Sequence, residues 1–184
     1  MGQGGLLAAA LAGFFLGAVP FAVLFGLLQR KNLLEEGSGN PGAINAIRVL
    51  GWVPGLLVLI LEIAKGFFAV AFGEALGGYE GALLAGAAAV WGHAYTPFLL
   101  FRGGKGIAPA LGVLLAVNPV LAGISALIYA LFWLALRHPY RAAFSLALTF
   151  PLLALVYSHR PDLVLFSVLL ALPIALRHIK DLSR

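Results

Sequence analysis

Apolar residues fill almost the whole chain, and polar residues arrive in short, sharply bounded groups. The apolar runs cover Leu6–Leu28, Trp52–Phe72, Ala82–Leu100, Ile107–Val117, Val120–Leu136, Ala142–Tyr157 and Leu163–Leu176. A hydrocarbon core of about 30 Å needs about 20 apolar residues in a helix, and within lipid every backbone polar group must be satisfied inside its own segment. The pattern therefore predicts an all-α, polytopic integral membrane bundle of about seven transmembrane helices, with the shorter runs tilted, interfacial or packed behind longer neighbours. No internal repeat and no Ser- or Pro-rich linker divides the chain, so residues 1–184 read as one transmembrane domain. The opening Met1-Gly2-Gln3-Gly4-Gly5 carries no cation, and no small-residue cleavage site ends the first run, so the first helix is expected to be retained.

Composition strengthens the membrane reading. Hydrophobic residues make up 62% of the chain and charged residues 10%, with a mean hydropathy of +1.02, whereas a soluble domain carries about 25% charged residues. The absence of cysteine excludes a disulfide framework and thiolate metal sites. No metal, cofactor or nucleic-acid signature is present, and the expected state is a monomer among membrane lipids.

The cations fix an expected orientation. Of the 12 Lys and Arg, ten (Arg30, Lys31, Arg48, Arg102, Lys105, Arg137, Arg141, Arg177, Lys180 and Arg184) fall on the side reached after the first, third, fifth and seventh helices. Arg160 falls opposite and Lys65 lies inside a helix. By the positive-inside rule the N-terminus is out, the C-terminus is in, and the basic face meets the cytoplasm. Topology alone accounts for Arg30, Lys31, Arg137, Arg141 and the basic tail.

Two polar segments ask for more. Gly37-Ser38-Gly39-Asn40-Pro41-Gly42 is formally a G-x-G-x-x-G string, but a dinucleotide fingerprint needs a preceding strand in a βαβ unit, and here membrane helices flank it. What remains is the physics: Gly39 and Gly42 let backbone N–H groups converge on an anion, and a helix opening near Ala43 aims its positive end the same way. Asn45 and Arg48 share a face of that helix at i,i+3 spacing, and Ser38 and Asn40 add hydrogen-bonding groups. The plain alternative is a glycine-rich turn with Arg48 snorkelling to the interface. In the second segment, Arg102-Gly103-Gly104-Lys105-Gly106 precedes a helix with Pro109 in its first turn. It is not a Walker loop, because Gly106 stands where Ser or Thr is required. Arg102 offers a planar fork and Lys105 a movable point charge for phosphate oxygens; the alternative is that the pair only ends a helix.

Three ionisable residues lie within apolar runs. Glu62 and Lys65 are spaced to pair with each other, since a single charge at that depth costs about 2.5–3.5 kcal/mol on insertion scales. His93 sits nine residues before Arg102, about 13 Å along an ideal helix, which buries it unless the segment breaks near Pro97.

Gly37-Ser38-Gly39-Asn40-Pro41-Gly42-Ala43-Ile44-Asn45 with Arg48, then Glu62-Ile63-Ala64-Lys65-Gly66, then Gly92-His93 through Phe101-Arg102-Gly103-Gly104-Lys105-Gly106-Ile107-Ala108, resemble the bacterial acyl-phosphate:glycerol-3-phosphate acyltransferases, the PlsY family. The resemblance covers roughly residues 17–112 in order and continues in hydropathy to the end. It implies a seven-helix inner-membrane enzyme with a cytosol-facing site. That enzyme moves a fatty acyl group from acyl phosphate to the 1-hydroxyl of glycerol 3-phosphate, giving lysophosphatidic acid and phosphate, with neither acyl-CoA nor acyl carrier protein as direct donor. The chain departs from the family pattern at Ile44 and Pro109, each where Thr is usual, and at Glu62, where Asp is usual. The third family motif, Asn-Ile then Arg-Leu and a later Glu, is altered in Arg177-His178-Ile179-Lys180-Asp181-Leu182-Ser183-Arg184.

An acyl phosphate is already activated, so the protein's task is positioning and charge stabilisation. In this reading Lys105, Arg102 and Arg48 hold phosphates, and the Gly39/Gly42 and Gly103/Gly104 backbones, with Gly106, form anion cradles. Ser38, Asn40 and Asn45 hydrogen-bond substrate, and His93 is polariser or base. Two alternatives differ in class: a paralogue that binds phospholipid precursors without turnover, favoured by the altered tail, and a small anion transporter, disfavoured because the cations cluster on one surface rather than near the midplane. Orientation is directly testable. A cytoplasmic reporter fused after Arg184 should be active and the same reporter inserted at Gly77-Gly78 silent, and the reverse pattern would put both glycine segments outside.

Overall fold

The computed structural model describes residues 2–182. Met1, Ser183 and Arg184 lie outside the described residues, and with them Arg184's share of the charge count and the last two residues compared with the third family motif. Among the described residues the regular structure is helical: α1 (Gln3–Ala18), α2 (Phe21–Leu28), α3 (Ala43–Leu50), α4 (Trp52–Ala94), α5 (Ile107–Val117), α6 (Pro119–Leu136), α7 (Pro139–Ser158) and α8 (Pro161–His178), with 3-10 turns at Pro97–Leu99 and Ile179–Asp181. Five stretches among the described residues are long and apolar enough to cross a membrane: Gln3–Leu28, Trp52–Leu99, Pro119–Leu136, Pro139–Ser158 and Pro161–Asp181.

The expected runs map onto these stretches with two corrections. The first run is not one helix, because Pro20, lacking a backbone N–H, separates α1 from α2. The second and third runs are the two arms of α4, which reverses at Gly77 and Gly78. Gly78 has φ 62° and ψ −154°, a region open essentially to glycine alone. The arms then close tightly enough that a Cβ on Gly73 would strike the Gly81 carbonyl. α5 has the bounds its apolar run predicts, but its 11 residues span only about 16 Å, and it packs behind α4 rather than crossing alone.

Small residues set the helix spacing. Gly13 and Gly17 lie one turn apart on α1 and face Ala85 and Ala89 on the second arm of α4, where an added Cβ would overlap backbone. On the other arm, Gly66 faces the Pro109 carbonyl, and Gly112 of α5 faces that of Ile63. In lipid, where apolar side chains gain little by leaving the solvent, such backbone approach is a main source of helix association. The core formed by α4, α5, α6, α7 and α8 includes Val90, Val113, Leu121, Phe150, Phe166 and Leu170. α6, α7 and α8 each open with proline, and the Asn118 side chain accepts from Leu121 N–H at 2.9 Å to cap α6.

Substituting Gly17→Val should lower stability by about 2 kcal/mol or more, because overpacking against backbone cannot relax by side-chain rotation. Gly123→Val, where no atom lies within 4 Å of the new Cβ, should be near neutral. Thermal unfolding in detergent checks both.

Candidate active site

The glycine-rich first loop is held from within. Gly37 and Gly39 adopt φ of 63° and 68°, and the buried Asn45 side chain pins the loop that these turns create. Asn45 Oδ1 accepts from Ser38 N–H at 2.8 Å, and Nδ2 donates to the Leu33 and Glu36 carbonyls, each at 3.1 Å. Asn45 thus positions the loop, and it also lines the 220 Å³ cavity described below. Arg48 does not share its environment: it is exposed on α3, makes no hydrogen bond or ion pair among the described residues, and lines none of the cavities below.

The second segment folds back instead of continuing outward. α4 ends at Ala94, and the chain passes through the Pro97–Leu99 turn and positive φ at Leu100 and Phe101. It then returns so that Gly104 N–H donates to the His93 carbonyl at 3.1 Å. The nine-residue offset between His93 and Arg102 is thus a loop and not the expected rise along a helix. Gly103 and Gly104 make this possible: a Cβ on the first would strike the His93 and Ala94 carbonyls, and on the second the His93 imidazole at Nε2. Their carbonyls receive Arg177, whose Nε donates to Gly104 at 3.2 Å and whose Nη2 donates to Gly103. Gly103 and Gly104 therefore act as a close-packed hinge and not as the expected anion cradle. Gly106, at φ 86°, opens α5 and does face the cavity.

Behind the hinge lies a buried polar cluster. Glu62 Oε2 is 2.7 Å from Lys65 Nζ and 2.8 Å from His93 Nδ1, and Lys65 Nζ also lies 3.1 Å from His93 Nδ1. Lys65 Nζ donates to the Val19 carbonyl at 2.9 Å, and Thr96 Oγ1 donates to that of Ala18 at 2.7 Å. The open C-terminal carbonyls of α1 are thus satisfied by side chains. The Lys65 contact is an ion pair rather than an aligned hydrogen bond, and both carboxylate oxygens keep unmet hydrogen-bonding capacity.

In front of the hinge, three cavities adjoin. One of about 220 Å³ is lined by Ser38, Asn40, Gly42, Glu62, His93, Lys105 and His178, with the first residues of α5 at its edge. A polar one of about 550 Å³ shares Ser38, Asn40, Lys105 and Tyr140 with it and adds Gly39, Arg102, Arg177, Lys180 and Asp181. An apolar one of about 290 Å³ runs between α5, α6, α7 and α8 and shares Ile107, Leu111, Tyr129 and Ala143 with the first. Lys105 stands at the centre, its Nζ 3.4 Å from the Tyr140 ring centroid and 2.7 Å from Asp181 Oδ2. His178 Nδ1 lies 2.7 Å from the Ile174 carbonyl. A carbonyl only accepts, so Nδ1 carries the proton and a neutral ring presents its Nε2 lone pair.

The structure therefore brings together Ser38, Gly39, Asn40, Gly42, Asn45, His93, Arg102, Lys105 and Gly106 among the expected residues. Sequence reasoning missed Tyr140, which carries no motif, and left Arg177 and Lys180 to topology. The one signal for that end was the cluster of Arg177, His178 and Asp181 closing a long apolar helix.

The cationic and apolar cavities are thus connected through the 220 Å³ cavity that shares walls with both. A profile of the glycerol-3-phosphate acyltransferase family matches residues 7–184. Curated glycerol-3-phosphate acyltransferases align along most of the chain: one from Thermoanaerobacter sp. (strain X514) at 34% identity over 95% of this chain and 89% of its own, and one from Dinoroseobacter shibae at 40% over 98% and 89%. The crystal structure of PlsY, an integral membrane glycerol 3-phosphate acyltransferase, in its glycerol 3-phosphate form superposes with a TM-score of 0.87 at 31% identity, covering 97% of this chain and 90% of that one. Its lysophosphatidic acid form gives 0.85 at 30%. The chain belongs to the glycerol-3-phosphate acyltransferase family.

Glu62→Gln should strand the Lys65 ammonium without a counter-charge and cost about 3–5 kcal/mol. The pair Glu62→Gln with Lys65→Met should recover part of that loss, as a double-mutant cycle of melting in detergent will show.

Proposed function

We propose that the chain transfers a fatty acyl group from acyl phosphate to the 1-hydroxyl of glycerol 3-phosphate, giving lysophosphatidic acid and phosphate. The carrying observation is the 220 Å³ cavity that shares Lys105 with the cationic cavity and Ile107 with the apolar one. The apolar channel suits the acyl chain, the polar cavity suits the two phosphates, and the acyl carbonyl then falls between them. The glycerol 3-phosphate and lysophosphatidic acid forms of the similar PlsY fit the same substrate and product here.

In this mechanism Lys105 and Arg102 hold phosphate oxygens, aided by the amino end of α5, while Ser38 and Asn40 orient glycerol 3-phosphate. Arg48 joins by swinging its free side chain over the loop. The substrate hydroxyl attacks the acyl carbon, the bond from that carbon to the phosphate oxygen breaks, and phosphate leaves with the electron pair. The hydroxyl proton passes to His178 Nε2 and then to the departing phosphate. His93, held by Glu62 and Lys65, polarises the cavity wall. The protein needs no nucleophile of its own, because the donor is already activated. The seven apolar segments each cross the bilayer or dip into it, N-terminus out, with this site at the cytoplasmic face of the bacterial inner membrane.

Purified protein supplied with acyl phosphate and labelled glycerol 3-phosphate should release labelled lysophosphatidate and one phosphate per turnover, with acyl-CoA inactive as donor. Product formed only from acyl-CoA would overturn the donor assignment. Lys105→Ala should lower kcat/KM by about 100-fold or more, the usual cost of removing one preorganised charge contact. Arg48→Ala should fall between that and Arg137→Ala, whose exposed cation should matter little.

A further inference from the structure

We propose that Asp181 is a displaceable counter-ion: its carboxylate holds the place on Lys105 that a substrate phosphate takes, and so sets the affinity of the site for glycerol 3-phosphate and for released phosphate. The inference rests on the reading of Lys105 as a phosphate ligand.

Asp181 Oδ2 lies 2.7 Å from Lys105 Nζ, with the two side chains 10% and 17% exposed, and Tyr140 covers the other side of the ammonium. A phosphate that approaches Lys105 from the polar cavity, which both residues line, meets that carboxylate at the ammonium. The polar cavity is lined by four cations (Arg102, Lys105, Arg177 and Lys180) and by this carboxylate. Each phosphate monoester brings about −1.5 to −2 charges at neutral pH, so two of them nearly match the four cations without Asp181. With the carboxylate the cavity would hold about four to five negative charges against those four cations, so Asp181 competes with both ligands for them. It also sits where it can yield. Asp181 belongs to a single 3-10 turn beyond α8, closed by a long 3.4 Å bond from Leu182 N–H to the Ile179 carbonyl and tied to α7 through Arg141 Nε and the Leu182 carbonyl at 3.0 Å. Movement of that turn leaves the Arg177 contacts with Gly103 and Gly104 in place, because Arg177 lies on α8 itself.

A displaceable anion would also hasten product release. Inorganic phosphate left on Lys105 blocks the next donor, and a tethered carboxylate competes for the same ammonium at high effective concentration.

The test compares the full-length enzyme with Asp181→Asn in detergent, reading KM for glycerol 3-phosphate, the inhibition constant of inorganic phosphate, and the phosphate concentration that raises the melting temperature. All three should fall about tenfold, as expected for removal of one like charge from a partly desolvated ionic site. A merely structural role cannot produce this result, since damage loosens binding. Unchanged or weaker phosphate binding in folded Asp181→Asn would overturn the proposal. Asp181→Ser is the second variant, with the same expectation, and failure of both to fold would also overturn it, because a contact that must yield cannot be one the fold requires. Lys105→Ala separates the two readings: if it leaves phosphate inhibition as in the parent, Lys105 is not the phosphate ligand and the underlying assignment fails.

Discussion

A charge inside a bilayer must have a partner, and the cluster of Glu62, Lys65 and His93 is where this chain meets that requirement. The three residues come from both arms of α4, and Lys65 extends the cluster to the end of α1 through the Val19 carbonyl. Leaving any one of them alone at this depth would cost several kcal/mol. The register of the two arms and the break at Pro20 are therefore locked together. His93 in turn receives the returning loop, since its carbonyl takes Gly104 N–H and its ring fills the space that a side chain at 104 would need. The placement of Lys105, one residue further, follows from that contact.

Glycine works in two ways in this molecule. In the bundle it removes bulk, so that α1 and α5 approach α4 to backbone contact, which replaces the hydrophobic drive that a lipid solvent does not supply. In the polar loops it permits positive φ, at Gly37, Gly39 and Gly106, and shapes the walls of the cavity. Gly103 and Gly104 belong to the first kind despite their loop setting. The Gly104 N–H is taken by His93 and both carbonyls by Arg177.

Much of this was legible in the pattern of residues. The apolar runs marked every helix but α3, though not the break at Pro20 or the continuity of α4, and they gave α5 its bounds and the last three helices within a few residues, because lipid allows little else than helix for such runs. Ser38, Asn40, Arg102 and Lys105 stood out because polar groups are rare here and each needs a reason. Asn45 was visible as polar but not as a loop pin, since its partners at Leu33 and Glu36 are backbone atoms that carry no signal of identity. Arg177 was hidden by the rule that explains cytoplasmic cations as topology: its bonds to Gly103 and Gly104 span more than 70 positions. Tyr140 could be seen only once α7 was laid beside Lys105. The resemblance to a family supplied the reaction, which neither spacing nor hydropathy contains.

The account stands on one placement, that the loop folded onto His93 puts Lys105 where a substrate phosphate binds. A structure of the protein with glycerol 3-phosphate bound tests this most directly. The phosphate should lie within hydrogen-bonding distance of Lys105 Nζ, in the cavity shared by Ser38, Asn40 and Tyr140, with the Asp181 carboxylate moved away. A phosphate bound elsewhere, with Lys105 still paired to Asp181, would contradict it.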